Sequence, residues 1–445
     1  MLHAKSPIKR KLWVITLSAI ICWVAVTAFQ RNIMADDSNK VYEQLKIFSD
    51  VLEIIQDKYV DEVDQEELVQ NAIKGMVQSL DPHSDFLLLE DFEDLKIDTQ
   101  GEFTGVGIHI AMQDNFVTVI APIEGTPAEK AGIQPMDRII AVDGIQVTDL
   151  REAVKLMRGP KDTKVVLTIY REGTPEPLEF DITRALIPIR TVRAALLQPD
   201  YGYIRISNFT ANTTTDFKDA LEQMEKANGG ALKGLVFDLR SNGGGLLPES
   251  ISISEIFLSD KPIVSTKGRK VGEQIFKAPY NANARTYPLA VLINGGTASA
   301  SEIVAGALKD NGRAVLVGTP SFGKGSVQML DTLRDGSGLK ITIALYYTPS
   351  GRSIQAEGIA PDIDVPYEKL DLEKPKPKDF FYKEKDLAGH LEADNQPEDK
   401  PATTPETKEW AGYNMNDTDM DILKSDNQIM RGLEALVVIN VFQQP

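Results

Sequence analysis

Apolar residues recur every three to four positions from 38 to 80, at Val41, Leu45, Phe48, Val51, Leu52 and Ile55 and again at Leu68, Ala72, Met76 and Leu80. That period gathers side chains on one helical face, and it predicts a small helical module that ends in the turn LDPHSDFL (80–87), where Asp-Pro and Ser break the pattern. Between 100 and 185 the pattern shortens to β-rich runs (VGIHIAM, FVTVIAP, DRIIAVDG, KVVLTIYR) with one intervening helix in LREAVKLMRG (150–159). From about 200 the two periods alternate: GYIRIS, DFKDALEQMEKA, GLVFDLR, LPESISISEIFL, LAVLIN, SEIVAGALKD, AVLVG. Alternation of that kind predicts βαβ crossovers and a largely parallel sheet, so the expected class is multidomain α/β. After about 370 the chain turns to Lys, Asp, Glu and Pro, the composition of an exposed linker. The last stretch, DMDILKSDNQIMRGLEALVVINVF, reads as one helix with Ile422, Ile429, Leu433, Leu436 and Val437 on one side, docking on the body or on a second copy. No internal repeat is visible.

At 445 residues the chain exceeds one ordinary core, and 42% apolar with 25% charged residues are globular values. The first 35 residues stand apart. Lys5, Lys9, Arg10 and Lys11 precede LWVITLSAIICWVAVTAF (12–29), an uncharged apolar run with the layout of a secretory signal, yet long enough to serve as an inner-membrane anchor. Both readings export the rest: Val26 and Ala28 would form a small-residue cleavage site, while an uncut segment would keep its basic end inside. Cys22, the one cysteine, lies in that run, which leaves the exported part without disulfide, Cys-ligated metal or thiol nucleophile. The body carries 43 Lys/Arg against 65 Asp/Glu, a net −22 compared with −17 overall. Nucleic acid is a poor ligand for such a surface, since its phosphates need a basic face.

Candidate chemistry begins at LINGGTASASE (292–302). Ser299 and Glu302 have the S-x-x-E spacing of a capping box ahead of an Ala/Leu-rich helix stopped by Gly312; the same serine is also placed to be a nucleophile. Four histidines are present, His3, His83, His109 and His390, none within the alternating part, so a Ser-His-Asp triad is unattractive. A lysine can take the place of histidine when burial disfavours its ammonium form. Lys324, in VGTPSFGKGSVQ (317–328), is the best-placed lysine, and a tight turn with a solvated side chain is its plain alternative. Gly318 to Lys324 also matches G-x-x-x-x-G-K, but Gly325 offers no hydroxyl for magnesium and the following residues read as strands around a D-G-S-G turn. In GLVFDLRSNGGGLLPES (234–250), bare backbone N–H groups ahead of a helix suit an oxyanion hole or a βα turn needing positive φ. In EFTGVGIHIA (102–111), the turn Gly105-Val106-Gly107 before Ile108 could hold a peptide's terminal carboxylate while the peptide adds as a strand.

The phrase GTPAEKAGIQPMDRIIAVDG (125–144) resembles a bacterial-type PDZ signature. Together with DLRSNGGGLL, INGGTASASE and SFGKGSVQ in this order, the chain resembles the carboxyl-terminal processing peptidases, or tail-specific proteases, over about residues 40 to 395. The resemblance implies an α/β peptidase core with an inserted-type β-rich PDZ domain, an N-terminal helical module and a C-terminal helix. Expected boundaries are 1–35 for the signal or anchor, 36–95 for the helical module, 96–190 for the PDZ domain, 191–370 for the Ser/Lys core, and 371–445 for a late helical segment, linker and final helix. It further implies Ser299 as nucleophile, Lys324 as general base and Gln328 as the residue orienting that lysine. The amides of Gly244 and Ala300 would form the oxyanion hole, Gly105, Val106, Gly107 and Ile108 the tail-binding turn, and Arg158 a coupling between tail binding and the site. An exposed helix-end arginine is the alternative for Arg158. No metal or cofactor is implied. Thr297 stands where serine is commoner and Gly243 where proline is frequent; neither supplies the reacting atom. Expected partners are proteins with apolar C-terminal tails, with an adaptor lipoprotein and a homodimer or higher oligomer left open. A periplasmic location follows, soluble or held by residues 12–29. The rival class is a catalytically inactive PDZ-containing scaffold.

Overall fold

Residues 40–370, 412–415 and 417–443 are described in a computed structural model. The leader (1–35), the linker expected after 370, His3 and His390 lie outside them. The chain divides into two compact units at Phe86.

The first unit contains helix α1 (40–58) and helix α2 (Gln65–Gln78). Asp64 starts α2 by accepting the N–H groups of Glu66 and Glu67, as an N-cap carboxylate does. The helical period is therefore met, although Val41, Leu45, Phe48 and Val51 on α1 are exposed. In the following turn Asp81 accepts the N–H groups of His83 and Ser84 and the Ser84 hydroxyl, which explains why this Asp-Pro stretch halts the helix. Strand β1 (Asp85–Leu87) marks the junction.

The second unit opens with α3 (Leu89–Gln100), closed by Gly101 in the left-handed region. Strand β2 (Glu102–Gly105) pairs with β9 (Ala185–Pro188), and between them lies a β-rich module: β3 (Ile108–Gln113), β4 (Phe116–Pro122), α4 (Pro127–Ala131), β5 (Arg138–Val142), β6 (Ile145–Gln146), α5 (Leu150–Met157), β7 (Lys164–Tyr170) and β8 (Leu178–Thr183). Its sheet runs β3-β4-β5-β7-β8, with β6 on β5, so β3 is an edge strand with α5 against it. Val117, Val119, Ile139, Val165, Leu167 and Ile169 fill its core. One helix was expected here and there are two: Pro127 at the first turn and left-handed Gly132 at the end make GTPAEKAG a short helix. Asp137 is fully buried and bonded in a fork to Arg171 at 2.7 and 2.8 Å, a pairing that compensates the buried charge.

The remaining elements are β10 (Val192–Gln198), β11 (Tyr201–Ile206), α6 (Thr213–Asn228), β12 (Gly234–Asp238), α7 (Leu247–Glu255), β13 (Pro262–Gly268), β14 (Gly272–Lys277), β15 (Leu289–Ile293), α8 (Ala300–Asp310), β16 (Ala314–Gly318), β17 (Ser326–Thr332), β18 (Gly338–Tyr347), β19 (Ile363–Asp364), α9 (Asp417–Lys424) and α10 (Asn427–Gln443). The main sheet has the order β10-β11-β12-β15-β16-β19, parallel from β11 onward. Its central strands β12 and β15 are buried at every position, because both faces are covered. Alternate residues divide between the faces: Leu235, Phe237, Val291 and Ile293 join the core built with α6, α7 and α8, while Val236, Ala290 and Leu292 meet Leu423, Ile429, Leu433 and Leu436 of α9 and α10. Burying each of the latter four contributes roughly 1.5–3 kcal/mol as an upper bound, enough to hold the C-terminal helices on the sheet.

The final helix differs from expectation. It is two helices, broken at Ser425-Asp426, and Ile422 and Val437 face outward rather than with Ile429, Leu433 and Leu436. Asp426 is the cause: its carboxylate accepts the N–H groups of Gln428 and Ile429 and so starts a new helix.

Candidate active site

The site gathers where β12 and β15 end, at the carboxyl edge of a parallel sheet, where crossover loops leave a crevice. Three loops meet there. After β15, Asn294 turns the chain: its side-chain oxygen accepts the N–H groups of Ser241 and Gly296, and its own N–H donates to the Thr297 hydroxyl. Thr297 donates in turn to the carbonyl of Leu239 at 2.9 Å, which binds the β15 loop to the β12 loop.

Ser299 follows at the start of α8 with φ 57° and ψ −115°, a backbone conformation that costs a non-glycine residue about 1–3 kcal/mol. The surroundings that maintain it are dense. Ala298 N–H and the Ser301 hydroxyl both donate to the carbonyl of Asn242, and Ser299 is only 8% exposed. Ala300 opens the helix, where the first N–H groups have no partner inside the helix.

The β12 loop runs alongside. Asn242 is fully buried; its amide donates to Ile206 O, and its oxygen accepts the N–H of Gly244 at 2.9 Å. Gly244 has φ +107°, and a Cβ there would stand 2.9 Å from Ala298 O and Ser299 Cβ and 3.0 Å from Ala300 N. Only glycine lets this backbone lie against the serine. Gly244→Ala is therefore expected to lower the melting temperature and to separate the loops, whereas Gly243→Ala, which meets nothing within 4 Å, should melt like the parent in a thermal scan.

The third loop joins through Glu302. This carboxylate is fully buried, and its two oxygens accept four bonds: Oε2 takes the N–H of Ser299 at 2.8 Å and of Lys324 at 2.9 Å, and Oε1 takes the N–H of Gly323 at 2.8 Å and the Ser321 hydroxyl at 2.6 Å. Sequence spacing had made Glu302 only the acid of a capping box. Its partners 19 to 22 positions onward were not visible in any local pattern. One oxygen thus holds the backbones of both Ser299 and Lys324. Lys324 itself is half-buried, between Gly323 and Gly325, with exposed Phe322 beside it. Gln328, on β17, donates through Nε2 to Ser326 Oγ at 2.8 Å and to Thr342 Oγ1 at 3.3 Å.

Behind the β12 loop lies a buried charge cluster. Asp238 accepts from the Tyr203 hydroxyl and from the backbone N–H, Nε and Nη2 of Arg240. Burial alone would raise its pKa, but the Arg240 guanidinium outweighs burial and holds the carboxyl below its usual range. Burial raises the Tyr203 hydroxyl, with Asp238 adding to the effect.

The tail-binding turn and Arg158 lie on the β-rich module. Gly107 has φ +84°, and a Cβ on it would come 2.4 Å from Thr126 Cβ. Its carbonyl accepts from Ile123 N–H and the Thr126 hydroxyl, and the Val106 carbonyl accepts from Ala128 N–H, so the turn is tied back into the module just before edge strand β3. Arg158, at the end of α5, is ion-paired with Asp94 of α3 and lies over the Phe103 ring; one turn earlier, Lys155 pairs with Glu90. The structure thus brings Ser299, Ala300, Gly244 and the Lys324 backbone together, and places Arg158 among residues of α3 and β2. Among the described residues, no three His, Cys, Asp or Glu side chains converge to hold a metal, and no helix is long and apolar enough to cross a membrane.

The chain is similar to known proteins over most of its length. Peptidase family S41 is matched over residues 200–365, a PDZ domain over 118–171, and the activating protease CtpB N-terminal domain over 23–90. A carboxy-terminal-processing protease of Bartonella bacilliformis is 43% identical over 379 residues, covering 84% of this chain and 87% of that one. A carboxyl-terminal-processing protease of Synechocystis sp. is 44% identical over 320 residues, 69% of this chain and 74% of its own. Among solved structures, the photosystem II D1 C-terminal processing protease is 32% identical, with a TM-score of 0.42 over 72% of this chain and 92% of that one.

Proposed function

Since the chain belongs to the carboxy-terminal processing proteases of peptidase family S41 and has a PDZ domain, it is a serine-type peptidase, and we propose that Ser299 is its nucleophile and Lys324 its general base. The observation that carries this reading is the shared Glu302 oxygen, which keeps the two residues' backbones together beside Gly244. Uncharged Lys324 Nζ takes the proton of Ser299 Oγ as that oxygen bonds to the carbonyl carbon of a peptide. The amides of Ala300 and Gly244 receive the oxyanion; the Gly244 N–H exchanges its present partner, Asn242 Oδ1, for it. As the C–N bond breaks, the lysine ammonium protonates the departing amine. Water then attacks the acyl-enzyme, giving one proton to Lys324, and Ser299 regains its proton as the acid leaves. Gln328 orients the lysine, and the step requires neither metal nor cofactor.

Substrate selection belongs, in this reading, to the PDZ domain. A peptide's last residues add beside edge strand β3, their carboxylate on the amides of the turn Gly105–Ile108, their side chains toward α5. Arg158 at the end of α5 transmits occupancy by leaving Asp94. The basic residues and the apolar run 12–29 support export, with the body acting in the periplasm, released or anchored. An adaptor lipoprotein and self-association are compatible with this reading. An unstructured peptide with an apolar free C-terminus is expected to be cut about 10–100-fold more efficiently than its C-terminal amide, the worth of charge-assisted bonds to a carboxylate. Equal kcat/KM for the two peptides would remove tail recognition from the reading.

A further inference from the structure

The C-terminal helices return to the body at a particular place. Asp426, 8% exposed, does two things with one carboxylate: Oδ1 starts α10, and both oxygens bind Arg240 Nη1, at 3.1 and 2.9 Å. Gln428, 1% exposed, accepts from the same Nη1 at 2.7 Å and donates to Val365 O. Arg240 uses its remaining nitrogens on Asp238 and is itself 6% exposed. Its fork therefore has one side on the end of β12 and the other on the C-terminal segment.

Arg240 is also where the oxyanion loop begins. Its carbonyl accepts from Arg205, and the next residue, Ser241, has φ 54°, after which Asn242 and Gly244 make the contacts to Ala298, Ser299 and Ser301. A loop that starts in an unfavourable backbone conformation keeps its course only if both ends are held. One end is held by Phe209, whose N–H donates to Gly244 O and whose carbonyl accepts from Leu246. The other is held by Arg240, next to the Ser241 N–H that donates to Asn294 Oδ1.

We infer that Asp426 and Gln428 are positioning residues for catalysis, fastening Arg240 so that the loop 241–245 presents the Gly244 amide to the oxyanion. The C-terminal helix pair is then part of the catalytic apparatus as well as a cover for the sheet. This inference rests on the assignment of Ser299 and Gly244 above. It requires no contact between the C-terminal segment and substrate, so its loss should spare binding and weaken only the stabilisation of the tetrahedral state.

The test uses the full chain with Asp426→Asn, Gln428→Leu and Asp426→Glu, and with Glu434→Ala on the outer side of α10 as control. Gln428→Leu leaves the Asp426 cap in place, and assays are run well below the lowest melting temperature. Asp426→Asn and Gln428→Leu should lower kcat about tenfold or more, with KM and the affinity for a non-cleavable tail peptide within about twofold. Affinity for a peptide aldehyde, whose hemiacetal on Ser299 uses the oxyanion site, should fall by the same factor as kcat/KM. Asp426→Glu should recover part of the rate, and Glu434→Ala should match the parent. Parent-like kcat and aldehyde affinity in folded Asp426→Asn and Gln428→Leu would overturn the inference, as would a loss that follows only the unfolded fraction. Failure of the underlying reading has a separate signature: Ser299→Ala would cleave as fast as the parent.

Discussion

Lys324→Ala and Lys324→Arg are both expected to reduce peptide cleavage by about 10⁴-fold or more, as severely as Ser299→Ala. The arginine variant is the informative one. If Lys324 served only as a positive charge in a tight turn, arginine would preserve its role; if it takes a proton from Ser299, arginine cannot, because its guanidinium does not deprotonate. The glycines on both sides bring this backbone close to its neighbours: a Cβ on Gly325 would stand 2.5 Å from the Gln355 nitrogen, and one on Gly323 would stand 3.0 Å from that of Gly358. The side-chain change should therefore leave the loop's path unaltered. Melting temperature and tail-peptide affinity should stay near the parent's while turnover disappears. Turnover by Lys324→Arg within tenfold of the parent would take the general base away from this residue.

The architecture was legible wherever a period repeats. Strand β15, and β12 up to Asp238, appear in the sequence as apolar runs because a parallel sheet covered on both sides has no polar face to show. The short helix α4 was missed because five residues are too few to display a 3.6 period, although its Pro127 and Gly132 are the ordinary boundary signals. The break between α9 and α10 was missed for the opposite reason: Ile422 and Ile429 lie two helical turns apart, so one face reads on across the polar stretch KSDNQ (424–428), and only the third dimension shows that Asp426 caps a helix while holding Arg240. At the site, a candidate serine and a glycine-rich loop could be read where loops follow strands, whereas the particular amides of Ala300 and Gly244 rested on the family resemblance. Asn242 and Glu302 could not be assigned in the same way, since their work is to connect segments far apart in sequence. A spacing such as S-x-x-E reports the local bond and is silent about distant ones.

Glu302→Gln is expected to reduce turnover about 10²-fold or more, even though it alters a residue that touches no substrate. Both carboxylate oxygens are acceptors: Oε2 takes the N–H groups of Ser299 and Lys324 and so bridges two loops, and Oε1 takes the Gly323 N–H and the Ser321 hydroxyl of the lysine loop. An amide keeps the shape but has one acceptor; its NH₂ must point either at the N–H groups of Ser299 and Lys324 or at the Gly323 N–H and the Ser321 hydroxyl. Two buried donors then lose their partner, at about 1–3 kcal/mol each. The Ser321 hydroxyl can turn to lessen that cost, since it also donates to nothing else and accepts from Ile359 N–H at 2.7 Å. The amide should therefore settle with NH₂ toward Ser321, and the Gly323 end of the lysine loop should move. A displacement of about 1 Å between nucleophile and base is worth about 10²-fold in rate. Folded Glu302→Gln should accordingly show kcat reduced about 10²-fold or more with unchanged tail-peptide affinity, and Glu302→Asp, which keeps the charge but shortens the reach, should lie no higher. Adding Ser321→Ala should cost Glu302→Gln little further activity while costing the parent much more, because that hydroxyl matters through the carboxylate. Independent, multiplying losses in the double variant would show that Glu302 does not link the two loops.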